Sequence, residues 1–191
     1  MIERSIGYIV GSISSTSINR RLANVLVRLA PEGSRLTEIP IKDLAFYSQD
    51  HDADFPEAAR VFKESIGAVD GVLIITPEYN RSIPGVLKNA LDWASRPGGQ
   101  NSFSGKPTAV IGTSGGRIGT AVAQQHLKAI LSNLNAPTLG QPEAFIQSTP
   151  GLFTDEGEVT NERTATFLAR YLDAFVALID RYVPTREHGH A

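Results

Sequence analysis

Short apolar runs alternate with helical stripes along the chain, and this order restricts the possible folds more than any single motif does. The run Val72-Leu73-Ile74-Ile75 is continuous rather than alternating, as in a strand covered on both faces. Behind it Ile83, Val86, Leu87, Ala90, Leu91 and Ala94 recur at helical spacing. Strands are expected at about Ser5 to Val10, Leu36 to Ile39, Val69 to Ile75, Thr108 to Gly112 and Ala144 to Ile146. The helices between them are expected to turn Ile18, Leu22, Val25, Leu26 and Leu29 toward a core, then Ala59, Val61, Phe62 and Ile66 from a start at Pro56. A later helix carries Ile118, Val122, Leu127, Ile130, Leu131 and Leu134 toward Asn135, and the last carries Leu168, Tyr171, Leu172, Phe175, Leu178, Ile179 and Tyr182.

Five strands with interleaved helices imply an α/β protein, a doubly wound parallel sheet in three α/β/α layers with flavodoxin-like strand order. A Rossmann half would require Gly-x-Gly-x-x-Gly after the first strand, and Gly11-Ser12-Ile13-Ser14-Ser15-Thr16 stands there instead. At 191 residues, a single domain over 1–191 is expected.

Charge and composition exclude several chemistries. A net charge of −2, from 18 basic and 20 acidic residues, offers no polycationic surface, so no nucleic-acid partner is expected. The absence of cysteine removes thiolate nucleophiles, CxxC redox pairs and iron–sulfur ligands, so electron transfer would need a borrowed cofactor. Ile6 to Val10 is too short for a signal-peptide core and no run reaches a membrane span, which reads as a cytoplasmic protein without a membrane partner.

Three loops carry the functional signal. The first, Gly11 to Asn19, packs the hydroxyls of Ser12, Ser14, Ser15, Thr16 and Ser17 between a strand and a helix, where backbone donors and the helix dipole suit a phosphomonoester. It lacks the Gly-Lys-Ser/Thr ending of a Walker loop, and it also reads as a turn that only caps its helix. The second, Thr76-Pro77-Glu78-Tyr79-Asn80-Arg81-Ser82-Ile83-Pro84-Gly85, sets an aromatic in a polar loop at a strand-to-helix junction, with Ser82 as the expected cap and Pro84 in the first helical turn. The third, Gly112-Thr113-Ser114-Gly115-Gly116-Arg117-Ile118-Gly119, has glycines that let backbone approach a ligand. Each loop alone also reads as a plain strand-to-helix connection. In a flavodoxin-like sheet all three meet at the carboxyl edge, and together they describe a pocket for a flavin mononucleotide rather than ATP or NAD.

At these residues the chain resembles the NADPH-dependent FMN reductase family, in its branch of quinone, chromate and azo reductases. TPEYNRSIPGVLKNALDW, from Thr76 to Trp93, carries most of the likeness, and Gly105 to Ala136 with Gln141-Pro142-Glu143 adds to it. The resemblance implies that Gly11, Ser12, Ser14, Ser15, Thr16, Ser17 and Asn19 wrap the FMN phosphate. It implies further that Pro77, Glu78, Tyr79 and Asn80 border the isoalloxazine ring and that Thr113, Ser114, Gly115 and Gly116 complete the cradle. Many members have Leu-Arg-Lys-Gly-Ser in the first loop, where this chain has Ile13-Ser14-Ser15-Thr16-Ser17, so Ser14 replaces an arginine beside the phosphate.

The implied activity is an NAD(P)H oxidoreductase that takes hydride from NADPH or NADH and passes electrons to a small-molecule acceptor such as a quinone, chromate, an azo compound or free flavin in a ping-pong cycle. The flavin carries the chemistry, no side chain is expected to be catalytic, and backbone donors near Glu78 to Asn80 would stabilise the reduced ring. Arg81 and Arg117 are candidates for the nicotinamide cofactor's phosphates and read equally as solvated surface charges. The resemblance implies a homodimer or homotetramer.

Two other readings compete, a flavodoxin-type electron carrier and a non-catalytic flavin-binding module. The small net charge gives a carrier little electrostatic steering. Asp50-His51-Asp52-Ala53-Asp54 and His188-Gly189-His190 are not expected to bind metal, His126 is expected at a helix or subunit contact, and Trp93 is expected to pack.

Overall fold

The computed structural model describes residues 3–184. His188 and His190 lie outside that range. The chain runs β1 (Arg4–Val10), α1 (Ile18–Arg28), β2 (Ser34–Glu38), a 3-10 turn (Gln49–His51), α2 (Glu57–Gly67), β3 (Gly71–Ile75), α3 (Gly85–Ser95), β4 (Thr108–Ser114), α4 (Ala121–Asn133), β5 (Phe145–Gln147) and α5 (Glu162–Tyr182). The strands form one sheet in the order β2-β1-β3-β4-β5, and every pairing is parallel.

Side-chain alternation along the central strands divides the core into two layers. Ile9, Val72, Ile74 and Val110 face α2, α3 and α4, packing with Phe62, Leu87, Leu91, Trp93, Leu127 and Leu131. Ile6, Tyr8, Val10, Leu73, Ile75 and Ile111 face α1 and α5, packing with Leu22, Leu26, Leu168, Leu172, Phe175 and Ile179. Burial on both faces is why the strands read as continuous apolar runs. The expected three-layer architecture and strand order are observed.

Several boundaries and faces differ from expectation. β4 continues to Ser114 because β5 pairs with it, Gly112 to Phe145, Thr113 to Ile146 and Ser114 to Gln147. Thr113 and Ser114 therefore belong to a strand, and the third loop begins at Gly115. Helix α3 starts at Gly85 with Pro84 at its N-cap, whose carbonyl accepts from Leu87 and Lys88 N–H, so Ser82 does not cap it. Val61 and Tyr182 were expected to face the core and are exposed instead. Ile118 precedes α4 rather than lining it, and Asn135 ends that helix with φ 55°.

Trp93 is buried as packing, its Nε1 donating to the Ala45 carbonyl at 2.7 Å, with Tyr47 and Phe55 edge-on to its ring. Asp52, from the acidic run, bonds Arg96 and accepts from the Tyr47 hydroxyl, and Asp50 accepts from Ser48 Oγ.

Candidate functional site

The connections after β1, β3 and β4 leave the same edge of the sheet, and specific side chains fasten them to one another. Asn19, in the first turn of α1, is fully buried and reaches across to β4. Its Nδ2 donates to the Thr113 carbonyl at 2.9 Å, and its Oδ1 accepts from the Thr113 N–H at 2.9 Å. Thr113 is also buried, and its hydroxyl donates to the Ile146 carbonyl at 3.0 Å. Both residues were grouped with the ligand contacts by sequence. Their side chains bind protein groups and hold the first turn of α1 against the end of β4.

Glu78 ties the second loop to the third. Its carboxylate is only 7% exposed; Oε2 accepts from the Val122 and Ala123 N–H groups at 3.0 and 3.1 Å, and Oε1 accepts from Arg81 at 2.9 Å. Thr120, the N-cap residue of α4, makes no side-chain capping bond, so Glu78 satisfies donors that the helix's own cap leaves open. Gly112 permits the close approach of these elements. A Cβ there would collide with the Thr76 carbonyl oxygen and with Thr120 Oγ1.

The second loop turns back on itself. Tyr79 and Ser82 exchange backbone hydrogen bonds at 2.9 and 3.0 Å around Asn80 and Arg81, which have φ of 51° and 62°. Positive φ at both central residues is the type I′ pattern, here without glycine. The Tyr79 N–H is thereby committed to Ser82, which removes it from the backbone donors expected near the ring. Ser82 Oγ lies 3.1 Å from His126 Nδ1 on α4, so His126 meets this turn. Tyr79 is 52% exposed.

The third loop is closed by Ser114, whose Oγ donates to the Gly119 carbonyl at 2.6 Å and accepts from the Gly116 N–H at 3.2 Å. Between the second and third loops lies an open cleft of about 440 Å³ lined by Glu78, Asn80, Arg81, Ser114, Gly116, Arg117, Ile118 and Gly119. That volume falls within the range of small-molecule sites. Ile118 is 47% exposed and supplies the cleft's apolar surface. Sequence reasoning assigned it to a helix; the glycines on both sides, Gly116 and Gly119, were the available signal that it sits in a turn.

The first loop meets the requirements of a phosphate. Ser17 takes the N-cap position of α1 without a side-chain bond to the helix, and no acidic residue stands in the first turn. First-turn donors are thus left without a carboxylate to neutralise them. Ser14, Ser15 and Thr16 are exposed around this end, with Ser14 Oγ and Thr16 Oγ1 3.2 Å apart, while Ser12 is buried and receives the Ser14 N–H at 3.3 Å. An uncapped helix end with exposed hydroxyls, on the same sheet edge as the cleft, fits a phosphorylated aromatic group such as FMN.

A parallel sheet ordered 2-1-3-4-5, with its loops gathered over the β1–β3 switch point, defines the flavodoxin-like class. The family model described as NADPH-dependent FMN reductase matches residues 4–151, and the chain belongs to that family. A 2-hydroxy-1,4-benzoquinone reductase of Burkholderia sp is 48% identical over 93% of this chain and 98% of its own length. A quinone reductase of Pseudomonas putida is 43% identical over 92% of this chain and 94% of its own. Among solved structures, FerB of Paracoccus denitrificans, described as a flavoenzyme NAD(P)H:(acceptor) oxidoreductase, superposes with a TM-score of 0.90 at 46% identity, covering 94% of this chain and 98% of FerB.

Proposed function

We propose that this chain is an FMN-dependent NAD(P)H oxidoreductase that reduces quinones, hydroxylated quinones among them. The observation that carries this reading is the fastening of three loops into one site, by Asn19 to Thr113 and by Glu78 to the start of α4. Family membership and the relatives named for quinone reduction support it.

FMN, when bound, supplies two-electron transfer at its isoalloxazine ring. The chain's residues bind and orient. The hydroxyls of Ser12, Ser14, Ser15, Thr16 and Ser17 and the open first turn of α1 hold the phosphate, with Gly11 bringing the backbone in from β1. Pro77, Glu78, Tyr79 and Asn80, with Ser114, Gly115 and Gly116, would border the ring. Asn19 and Thr113 keep the first turn of α1 and the end of β4 in register. The Arg81, Arg117 and Ile118 side of the cleft, beyond the ring, would receive the nicotinamide cofactor and the acceptor in turn.

The same reading places the enzyme in the cytoplasm as a homodimer or homotetramer. Among the described residues no helix is long and apolar enough to cross a membrane. Phe46, 88% exposed, and the apolar groove of Pro40, Leu44, Val61 and Phe62 are surface of the kind a second subunit covers.

Absorbance spectroscopy tests the function. The FMN-loaded protein is expected to bleach with NADPH or NADH and to recover its colour with a quinone. Bleaching only by a separate reductase would make it an electron carrier, and failure to take up FMN would leave no flavin enzyme.

A further inference from the structure

Three positive features face the cleft between the second and third loops: Arg81, the N-terminus of α4 and Arg117. A single carboxylate answers the first two. Glu78 bonds Arg81 through one oxygen and the Val122 and Ala123 N–H groups through the other. Arg117 is exposed on the cleft wall and makes no hydrogen bond or ion pair among the described residues. It follows Gly115-Gly116, and its neighbour Ile118 presents an apolar side chain to the same cleft. The cleft is therefore a largely polar site with Ile118 as its one apolar side chain and Arg117 as a guanidinium that no carboxylate of the described residues answers.

We propose that Arg117 is a specificity-determining residue that selects cleft ligands carrying an oxyanion, the ionised hydroxyl of a hydroxyquinone acceptor first among them. This rests on the oxidoreductase reading above. A 2-hydroxyquinone is a vinylogous acid, ionised near neutral pH, with negative charge shared between two oxygens. Guanidinium pairs with such a charge through short, charge-assisted bonds. An unsubstituted quinone offers only neutral carbonyls to the same group. Arg81 cannot make this distinction equally well, because its charge is already matched. The phosphate of the nicotinamide cofactor presents the same chemistry and is separated from the acceptor by experiment.

The test compares wild type, Arg117→Gln and Arg117→Lys, all FMN-loaded, at low ionic strength. Binding of 2-hydroxy-1,4-benzoquinone and of 1,4-benzoquinone is read by calorimetry, and KM for each, and for NADPH and NADH, by steady-state kinetics. Arg117→Gln is expected to raise the ratio of hydroxyquinone to benzoquinone Kd and KM roughly tenfold, the size of one charge-assisted contact. Arg117→Lys should restore part of it, and added salt should shrink the wild-type preference. A change confined to NADPH relative to NADH would assign the oxyanion to the cofactor's phosphate and overturn the acceptor assignment. Unchanged ratios throughout would overturn the proposal. If wild type reduces neither quinone, the oxidoreductase reading fails, while calorimetry still reports on Arg117.

Discussion

Glu78 sits where the second loop meets the third, and a buried carboxylate with three donors is an anchor whose loss has a readable size. Glu78→Ala leaves the Val122 and Ala123 N–H groups without their acceptor, and urea denaturation is expected to show a loss of about 1–3 kcal/mol. Glu78→Gln keeps an acceptor and should lose less. At the end proposed to hold the phosphate, Ser14 is exposed beside Thr16. Ser14→Arg should therefore tighten FMN roughly tenfold, measured by fluorescence titration, because a guanidinium would add a charge-assisted bond to a phosphate that the proposed site meets with hydroxyls. The individual roles of these residues were only partly legible. The hydroxyl content of the first loop is what suggested a phosphate site there. Nothing in the spelling of Glu78 or Asn19 showed that their side chains would cross to α4 and β4, since those partners are 44 and 94 residues distant.

Element boundaries were read well wherever a local pattern decides them and poorly where pairing across the fold decides. The run Val72 to Ile75 is buried on both faces as its composition required. By contrast, β4 gained Thr113 and Ser114 through β5, and α3 lost Ser82 to a tight turn whose left-handed residues are Asn80 and Arg81 rather than the usual Asn-Gly. Where β4 closes on the second loop, Gly112→Ala is expected to cost about 1–3 kcal/mol, because the Thr76 carbonyl and Thr120 leave no room for a methyl group. The clamp between α5 and the sheet has a pH signature. Tyr171, fully buried, donates its hydroxyl to the Val110 carbonyl at 2.7 Å, and burial pushes its pKa well above the ordinary tyrosine value. The unfolded chain therefore releases this proton first, so the contribution is complete below about pH 10 and is lost as pH rises beyond it. Tyr171→Phe should lower stability by about 1 kcal/mol at neutral pH and should weaken the alkaline fall relative to wild type, as denaturation across pH 8–11.5 would record.

Taken as a whole, the molecule gathers the loops after β1, β3 and β4 on one rim of its sheet, with an open cleft of about 440 Å³ between the second and third of them. Under the proposed function this cleft serves two substrates, so the nicotinamide cofactor and the acceptor would exclude one another. Initial-rate kinetics should give parallel double-reciprocal lines, and intersecting lines would require both to bind together. The architecture was legible because apolar runs and helical stripes alternate in a way that few folds accept. The cleft's chemistry was less so, since it depends on Glu78 reaching the start of α4 as well as its neighbour Arg81, and the first of these is a tertiary contact. The central claim is that the loops after β1, β3 and β4 hold one FMN between them, and a crystal structure of the FMN-loaded protein tests it most directly. The account predicts the phosphate against Ser12 to Ser17 and the ring between Pro77–Asn80 and Ser114–Gly116; density for FMN elsewhere, or at only one of these loops, would contradict it.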